Sequence, residues 1–84
     1  MTIEDRRKKL LYRATYRGFK EADLLIGGFA AANVGSFDGP ALDEFEALLE
    51  LDDRQLYDWA TQKSEPPRHI IGPVFERLMA FKLA

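Results

Sequence analysis

The sequence predicts an all-α fold, a compact five-helix bundle that forms a single small domain. Through most of the 84 residues, apolar side chains recur three or four positions apart, which is the period of an amphipathic helix. No alternating apolar and polar run reaches the length of a strand. Hydrophobic residues make up 46% of the chain, including six Phe, three Tyr and one Trp, which suffices for one core in a chain too short for two.

The first two helices are predicted over about residues 4–16 and 19–32. Tyr12 and Tyr16 of the first helix fit either its apolar face or the surface, and the pattern leaves both choices open. The residues expected to face the core are Leu10, Leu11 and Ala14 of the first helix and Phe19, Ala22, Leu25, Ile26 and Phe29 of the second.

The third helix is predicted over about residues 40–51, after a segment from Asn33 to Pro40 that is dense in turn-forming residues. Pro40 suits the first helical turn, where a missing backbone N–H breaks no helical hydrogen bond. The residues expected to face inward are Leu42, Phe45, Leu48 and Leu49.

A fourth helix is expected next, capped by Asp52 or Asp53, because a carboxylate can accept hydrogen bonds from the free N–H groups at a helix start. The run at residues 64–67 ends that pattern. A final helix is predicted over about residues 68–83, with Pro73 either in its first turn or delaying its start. The expected core positions are Leu56, Trp59 and Ala60 of the fourth helix and Ile70, Ile71, Val74, Phe75, Leu78 and Met79 of the fifth.

The composition excludes several kinds of site. We expect one domain over residues 1–84, ordered over about 4–83. With no cysteine and a single histidine, His69, the chain offers no disulfide, no thiolate ligand and too few histidines for a His-based zinc site. No apolar run approaches the ~20 residues that cross a bilayer, and the N-terminus lacks the apolar core of a signal peptide. The composition is typical of a cytoplasmic protein without membrane insertion.

The charges are unevenly distributed although the net charge is only −2. Residues 6–20 carry seven cations and no acid: Arg6, Arg7, Lys8, Lys9, Arg13, Arg17 and Lys20. Residues 38–58 carry eight acids against Arg54: Asp38, Asp43, Glu44, Glu46, Glu50, Asp52, Asp53 and Asp58. Such a dipole either steers a partner into one orientation or holds the first and middle segments of the fold together.

The most informative short motif is Arg17-Gly18-x-x-Glu21, where the first helical pattern stops and the second starts. Gly18 lets the backbone turn or approach another surface closely, since it has no Cβ. If a helix runs through Arg17 and Glu21, their charges share one face. The motif is either a polar contact point for a partner or an inter-helix turn with a surface ion pair.

We expect no catalytic residue, no metal and no stably bound cofactor. One histidine without cysteine does not assemble a nucleophilic set, and the carboxylates lack the ligand spacing of a calcium loop. Gly27 and Gly28 follow no strand, so they do not predict a nucleotide-binding loop. The basic first helix offers phosphate contacts, but the chain is acidic overall and no recognition motif follows, so nucleic-acid binding is not expected.

Taken together, these residues resemble the small FAD assembly factors of succinate dehydrogenase, called SdhE in bacteria and succinate dehydrogenase assembly factor 2 in mitochondria. The resemblance covers about residues 6–80, and the five-helix fold of that family agrees with the fold predicted from periodicity. It is carried by the basic helix and by Arg17-Gly18-x-x-Glu21-x-Asp23-Leu24-Leu25, Phe29 and Phe45-x-x-Leu48-Leu49-x-x-Asp52-Asp53-x-x-Leu56-x-x-Trp59.

The resemblance implies a chaperone-like assembly factor and not an enzyme. Family members bind the flavoprotein subunit of succinate dehydrogenase, or in bacteria that of fumarate reductase, and promote covalent attachment of FAD through a histidine of that client. The family's functional residues correspond to Arg17, Gly18 and Glu21, with Asp23 and Tyr16 expected on the same partner-binding surface. In this interpretation Gly18 permits close approach, Arg17 bonds to the partner, and Glu21 pairs with a partner cation or polarises a group near the flavin.

A second class of function is a stand-alone interaction module, such as an antitoxin-like regulator of the same fold. The sequence also departs from many relatives in the Gly-Gly-Phe-Ala-Ala-Ala stretch after Ile26 and the short tail after Phe81. No transit-type extension precedes the domain, which favours a bacterial cytoplasmic protein over one of the mitochondrial matrix.

Overall fold

The computed structural model describes residues 2–82 and places five α-helices in this part of the chain. They are α1 (Ile3–Thr15), α2 (Lys20–Asn33), α3 (Gly39–Leu49), α4 (Asp53–Ala60) and α5 (Pro73–Ala80). Short 3-10 turns lie at Val34–Ser36 and Arg68–Ile70, and residues 2–82 contain no strand. The predicted all-α, five-helix bundle is therefore confirmed.

Side chains at three helix starts explain where those helices begin. Thr2 and Asp5 form a reciprocal capping box at α1, while Asp38 caps α3. Asp52, and not Asp53, caps α4. Each cap satisfies N–H groups that have no partner within the first helical turn.

The last helix is shorter than its apolar spacing predicts. Arg68–Ile70 forms a 3-10 turn and α5 begins only at Pro73, so the predicted start at residue 68 is wrong. Pro73 is the first helical residue, where its ring and missing N–H are tolerated, and it marks the delayed start. The helix also ends at Ala80, before an extended Phe81, so its predicted continuation through residues 81 and 82 is wrong, while Leu83 lies outside the described residues. None of the helices within residues 2–82 has the length and apolar character to span a bilayer.

The core forms where the amphipathic faces meet. Its buried side chains are Leu10, Ala14, Ala22, Ile26, Phe29, Ala30, Val34, Phe37, Leu42, Phe45, Leu48, Leu49, Leu56, Trp59, Ala60, Val74, Phe75 and Leu78. Tyr12 and Tyr16, which the sequence left open, are each 67% exposed. Ile71 was expected in the core but is also exposed, since it lies outside α5.

Helices α1 and α2 cross closely at Gly27. A Cβ at this position would lie 3.0 Å from Thr15 Cα and 3.2 Å from Thr15 Oγ1. The neighbouring Ala14 is buried and carries only a methyl group. Small residues therefore let the two backbones approach closely, so helix packing explains why residue 27 is a glycine.

Glu44 of α3 caps α5 from a distance. Its Oε1 accepts a hydrogen bond from the backbone N–H of Val74 at 3.2 Å, and its Oε2 accepts one from Phe75 at 2.9 Å. Gly72 supplies no capping side chain, and a Cβ there would lie 2.7 Å from Glu44 Oε2. The carboxylate thus replaces the missing local cap and ties α3 to α5.

Replacing Glu44 by alanine is expected to lower the free energy of unfolding by about 1–3 kcal/mol, because two N–H groups of α5 lose their acceptor. Glu44→Gln keeps one side-chain oxygen and should lose less. Urea unfolding followed by the fluorescence of buried Trp59 measures the change. The control is Glu50→Ala, at an exposed position at the end of α3. Equal losses for Glu44→Ala and Glu50→Ala would contradict the capping role.

Candidate partner-binding site

The Arg17-Gly18-x-x-Glu21 motif lies at a bend and not within one helix. Residues 17–19 connect the end of α1 to the start of α2. The expectation that Arg17 and Glu21 share a helix face depended on a continuous helix, and it is wrong. Asp23 in the first turn of α2 holds the bend, since its Oδ1 accepts hydrogen bonds from the backbone N–H of Arg17 at 2.5 Å and of Gly18 at 3.3 Å.

The guanidinium of Arg17 reaches across to the turn between α3 and α4. It donates to the backbone oxygen of Leu49 at 2.7 Å and to that of Leu51 at 3.1 Å. Its Nη2 also lies 2.6 Å from Asp53 Oδ1. The side chain of Arg17 is only 6% exposed and that of Asp53 is 29% exposed. We call these four residues the Arg17 clamp.

The position of the Arg17 clamp follows from helix electrostatics. Leu49 is the last residue of α3, where backbone oxygens lack helical partners and a cation is favoured. Asp53 is the first residue of α4, where an anion is favoured. Arg17 therefore neutralises the end of one helix and pairs with the acidic start of the next.

Gly18 lies directly against the same carboxylate. Its φ of +144° is a backbone conformation that glycine adopts readily and that L-amino acids avoid. A Cβ built at this position would lie 2.6 Å from Asp53 Oδ2. Gly18 is thus required twice, by the backbone conformation of the bend and by the space that Asp53 occupies.

Phe19 fastens the bend to α4 through an aromatic contact. Its ring packs edge-on against Tyr57, with centroids 5.4 Å apart. The guanidinium carbon of Arg54 lies 5.2 Å from the centroid of the Phe19 ring, within range of a cation–π interaction. The bend is consequently held on one side by the Arg17 clamp and on the other by this aromatic pair.

The outward side of the bend is formed by Tyr16, Gly18 and Glu21, all of them exposed. Leu24, one turn further along α2, is 53% exposed. Beside them is a shallow cavity of about 200 Å³ between α2 and α4, lined by Glu21, Leu24, Leu25, Tyr57 and Thr61. A carboxylate at the edge of a small apolar depression suits contact with another protein surface.

The structure divides the five predicted partner-binding residues into two groups. Tyr16, Gly18 and Glu21 face solvent, whereas Arg17 and Asp23 make hydrogen bonds that support the bend. Partner binding by all five stays a prediction. The sequence analysis missed Asp53 as the partner of Arg17, although Asp52-Asp53 belongs to the spacing pattern that carries the resemblance.

The uneven charges also hold the fold together, one of the two alternatives that the sequence left open. Arg6 of α1 donates to Asp43 at 2.5 Å and to Glu46 at 2.9 Å, both on α3. Hydrogen bonding to Asp43, and then to Glu46, raises the pKa of the Arg6 guanidinium. Arg13 lies 3.9 Å from Glu46. Within residues 2–82, no three His, Asp or Glu side chains are grouped to hold a metal ion.

Comparison with known proteins gives one consistent family. Residues 8–82 match the family model described as "Flavinator of succinate dehydrogenase". The protein named "FAD assembly factor SdhE" from Acetobacter pasteurianus is 36% identical over 74 residues, which is 88% of this chain and 68% of that protein.

Two mitochondrial proteins named "Succinate dehydrogenase assembly factor 2" are also similar. The one from Dictyostelium discoideum is 40% identical over 65 residues, covering 77% of this chain and 46% of that protein. The one from Candida glabrata is 41% identical over 84 residues, covering 95% of this chain and 55% of that protein. The chain thus spans about half the length of these two relatives. Since the family model covers most of its length, the chain belongs to the family of flavinators of succinate dehydrogenase.

Proposed function

We propose that this protein is an assembly factor that binds the flavoprotein subunit of succinate dehydrogenase, or of the related fumarate reductase, and promotes covalent attachment of FAD to it. The observation that carries the proposal is the match of residues 8–82 to the flavinator family. The names of the similar proteins support it, since each refers to FAD assembly or to assembly of succinate dehydrogenase.

The contact surface in this proposal is the outward side of the bend. Tyr16 and Glu21 supply exposed aromatic and acidic side chains, and Gly18 supplies exposed backbone between them. Arg17 and Asp23 act beneath this surface by fixing the conformation of residues 16–21. FAD remains the cofactor of the client and is not held stably by this chain.

Assistance of this kind requires positioning and no new nucleophile. Covalent attachment needs the flavin ring held against the acceptor histidine of the client in a reactive geometry. A protein that binds most tightly to the client conformation with that geometry raises its population. The bend suits this role because a contact surface fixed before binding loses little conformational entropy on docking.

Glu21→Gln is expected to weaken binding to the apo flavoprotein subunit roughly tenfold, as truncation of one well-placed interface charge does. Covalent flavin should fall in parallel at protein concentrations near the dissociation constant. The assay combines apo subunit, FAD and the assembly factor, and measures flavin fluorescence retained by the denatured subunit. The control is Glu50→Gln, at an exposed acid directly after α3.

The same assay separates the two classes of function. A wild-type protein that neither binds the subunit nor raises covalent flavin would contradict the proposal and leave the general interaction module as the better account. Wild-type activity together with an unaffected Glu21→Gln variant would keep the function and remove Glu21 from the contact surface.

A further inference from the structure

A second concave surface lies between α1 and α3. It encloses a cavity of about 480 Å³ lined by Arg6, Lys9, Leu10, Tyr12, Arg13 and Glu46. We call it the α1–α3 groove. This volume falls in the range of ordinary binding sites and accommodates a large side chain with neighbouring backbone.

The groove offers the aromatic surface of Tyr12, which the fold itself does not cover. Leu10 is buried in the core and contributes to the lining. Tyr12 is 67% exposed, and its ring centroid lies 4.6 Å from that of Tyr16 one turn away. A tyrosine held by a neighbouring ring loses little further rotamer freedom when a partner covers it, which favours its use in an interface.

The charge of the groove is unevenly neutralised. Arg6 is fully engaged with Asp43 and Glu46, whereas Arg13 makes only a long contact of 3.9 Å with Glu46. Among the described residues, no carboxylate oxygen lies within 4.0 Å of the Lys9 ammonium. Lys9 and Arg13 are therefore the cations of this groove with charge available to a partner.

We propose that the α1–α3 groove binds an acidic polypeptide segment with an apolar or aromatic side chain, the acids pairing with Lys9 and Arg13 and the apolar group packing on the exposed ring of Tyr12. The segment belongs to the flavoprotein client, so this part rests on the proposed function. The bend presents the acidic Glu21 and the groove presents free cations. Two contacts of opposite sign fix the orientation of a docked partner better than one.

The acidic wall favours a peptide over a nucleic acid. Glu46 lines the groove and Asp43 lies beside it on Arg6, so a continuous polyanion that followed the cations of α1 would meet these carboxylates. A short segment with two or three acids and one apolar residue avoids that repulsion.

The first experiment titrates the ¹⁵N-labelled full chain with a ten-residue peptide in which three acids flank one central Phe and the other residues are Gly and Ser. Amide shifts are expected at residues 6–13 and 46, and replacing the Phe by Ser should weaken binding. The Lys9→Glu/Arg13→Glu variant should bind at least roughly tenfold more weakly, because two attractions become repulsions. The matched control, Arg68→Glu/Lys82→Glu, has the same net charge but alters exposed residues outside the groove and should bind as wild type.

Several outcomes would overturn the inference. Absence of amide shifts in the groove, or an equal loss of affinity in both charge-reversal variants, would contradict peptide binding at this site. Equal or tighter binding of a single-stranded decanucleotide would favour a nucleic acid over a peptide. Shifts of the groove that depend on protein concentration without peptide would show a second copy of the chain as the occupant. The second experiment measures binding of the same variants to the apo flavoprotein subunit. If the wild-type chain binds the peptide but the groove variant binds the client as tightly as wild type, the client is not the source of the segment. If the wild-type chain does not bind the client at all, the proposed function is contradicted, and the peptide titration alone then tests whether the groove binds an acidic segment.

Discussion

Arg17→Ala is expected to lower the free energy of unfolding by about 2–4 kcal/mol, because it leaves Asp53 and two backbone oxygens without their donor in a largely buried place. The range lies below that for a fully buried pair since Asp53 is 29% exposed. In a chain of this size the loss corresponds to a fall in Tm of roughly 10–25 °C. Arg17→Lys should lose less but not recover fully, since one ammonium cannot match the fork of a guanidinium.

Circular dichroism at increasing temperature and urea unfolding together measure this loss. Arg13→Ala is the matched control, because its contact with Glu46 is long and exposed and should contribute under about 1 kcal/mol. Asp53→Ala and the double variant with Arg17→Ala complete a double-mutant cycle. Additive losses would show that the two side chains do not stabilise each other, and the Arg17–Asp53 pair of the clamp would be refuted.

Gly18→Ala is expected to destabilise the protein by about 2–4 kcal/mol, combining the strain of an L-residue at φ +144° with displacement of the Asp53 carboxylate. Because Asp53 holds Arg17, the substitution should also weaken the Arg17 clamp. Assayed at a temperature where the variant is folded, promotion of covalent flavin should fall with it, since the outward surface at Tyr16 and Glu21 loses its support.

Gly35→Ala is the control for Gly18→Ala. No heavy atom lies within 4 Å of a Cβ built at Gly35, so the change should stay within about 1 kcal/mol of wild type. In an Asp53→Ala background, Gly18→Ala should cost less than in the wild type because the steric conflict is gone. An unchanged cost would mean that backbone strain alone explains Gly18.

Much of the fold follows from local patterns in the sequence. The spacing of Leu42, Phe45, Leu48 and Leu49 predicts the buried face of α3, and all four are buried. The same holds for the stripe of Leu56, Trp59 and Ala60 on α4. Periodicity fails where a residue is apolar but not helical, as at Ile71, because the pattern alone does not locate the true start of α5.

The candidate site was less predictable because its contacts join residues far apart in sequence. Arg17 is four residues from Glu21, the spacing of a helix pair, and nothing local indicates that it reaches Asp53 instead. The partner of Glu44 is equally remote, since it is the backbone of α5. Sequence patterns locate charged side chains on an element, whereas pairing depends on how elements pack.

The contact between Gly27 and Thr15 has a consequence beyond packing. Since the backbone of α2 at Gly27 packs directly against the backbone of α1 at Thr15, the two helices are expected to move together. The distance between Lys9 on α1 and Glu21 on α2 is therefore held nearly constant. Under the proposed function, a client subunit has to carry complementary groups at that separation to engage both surfaces.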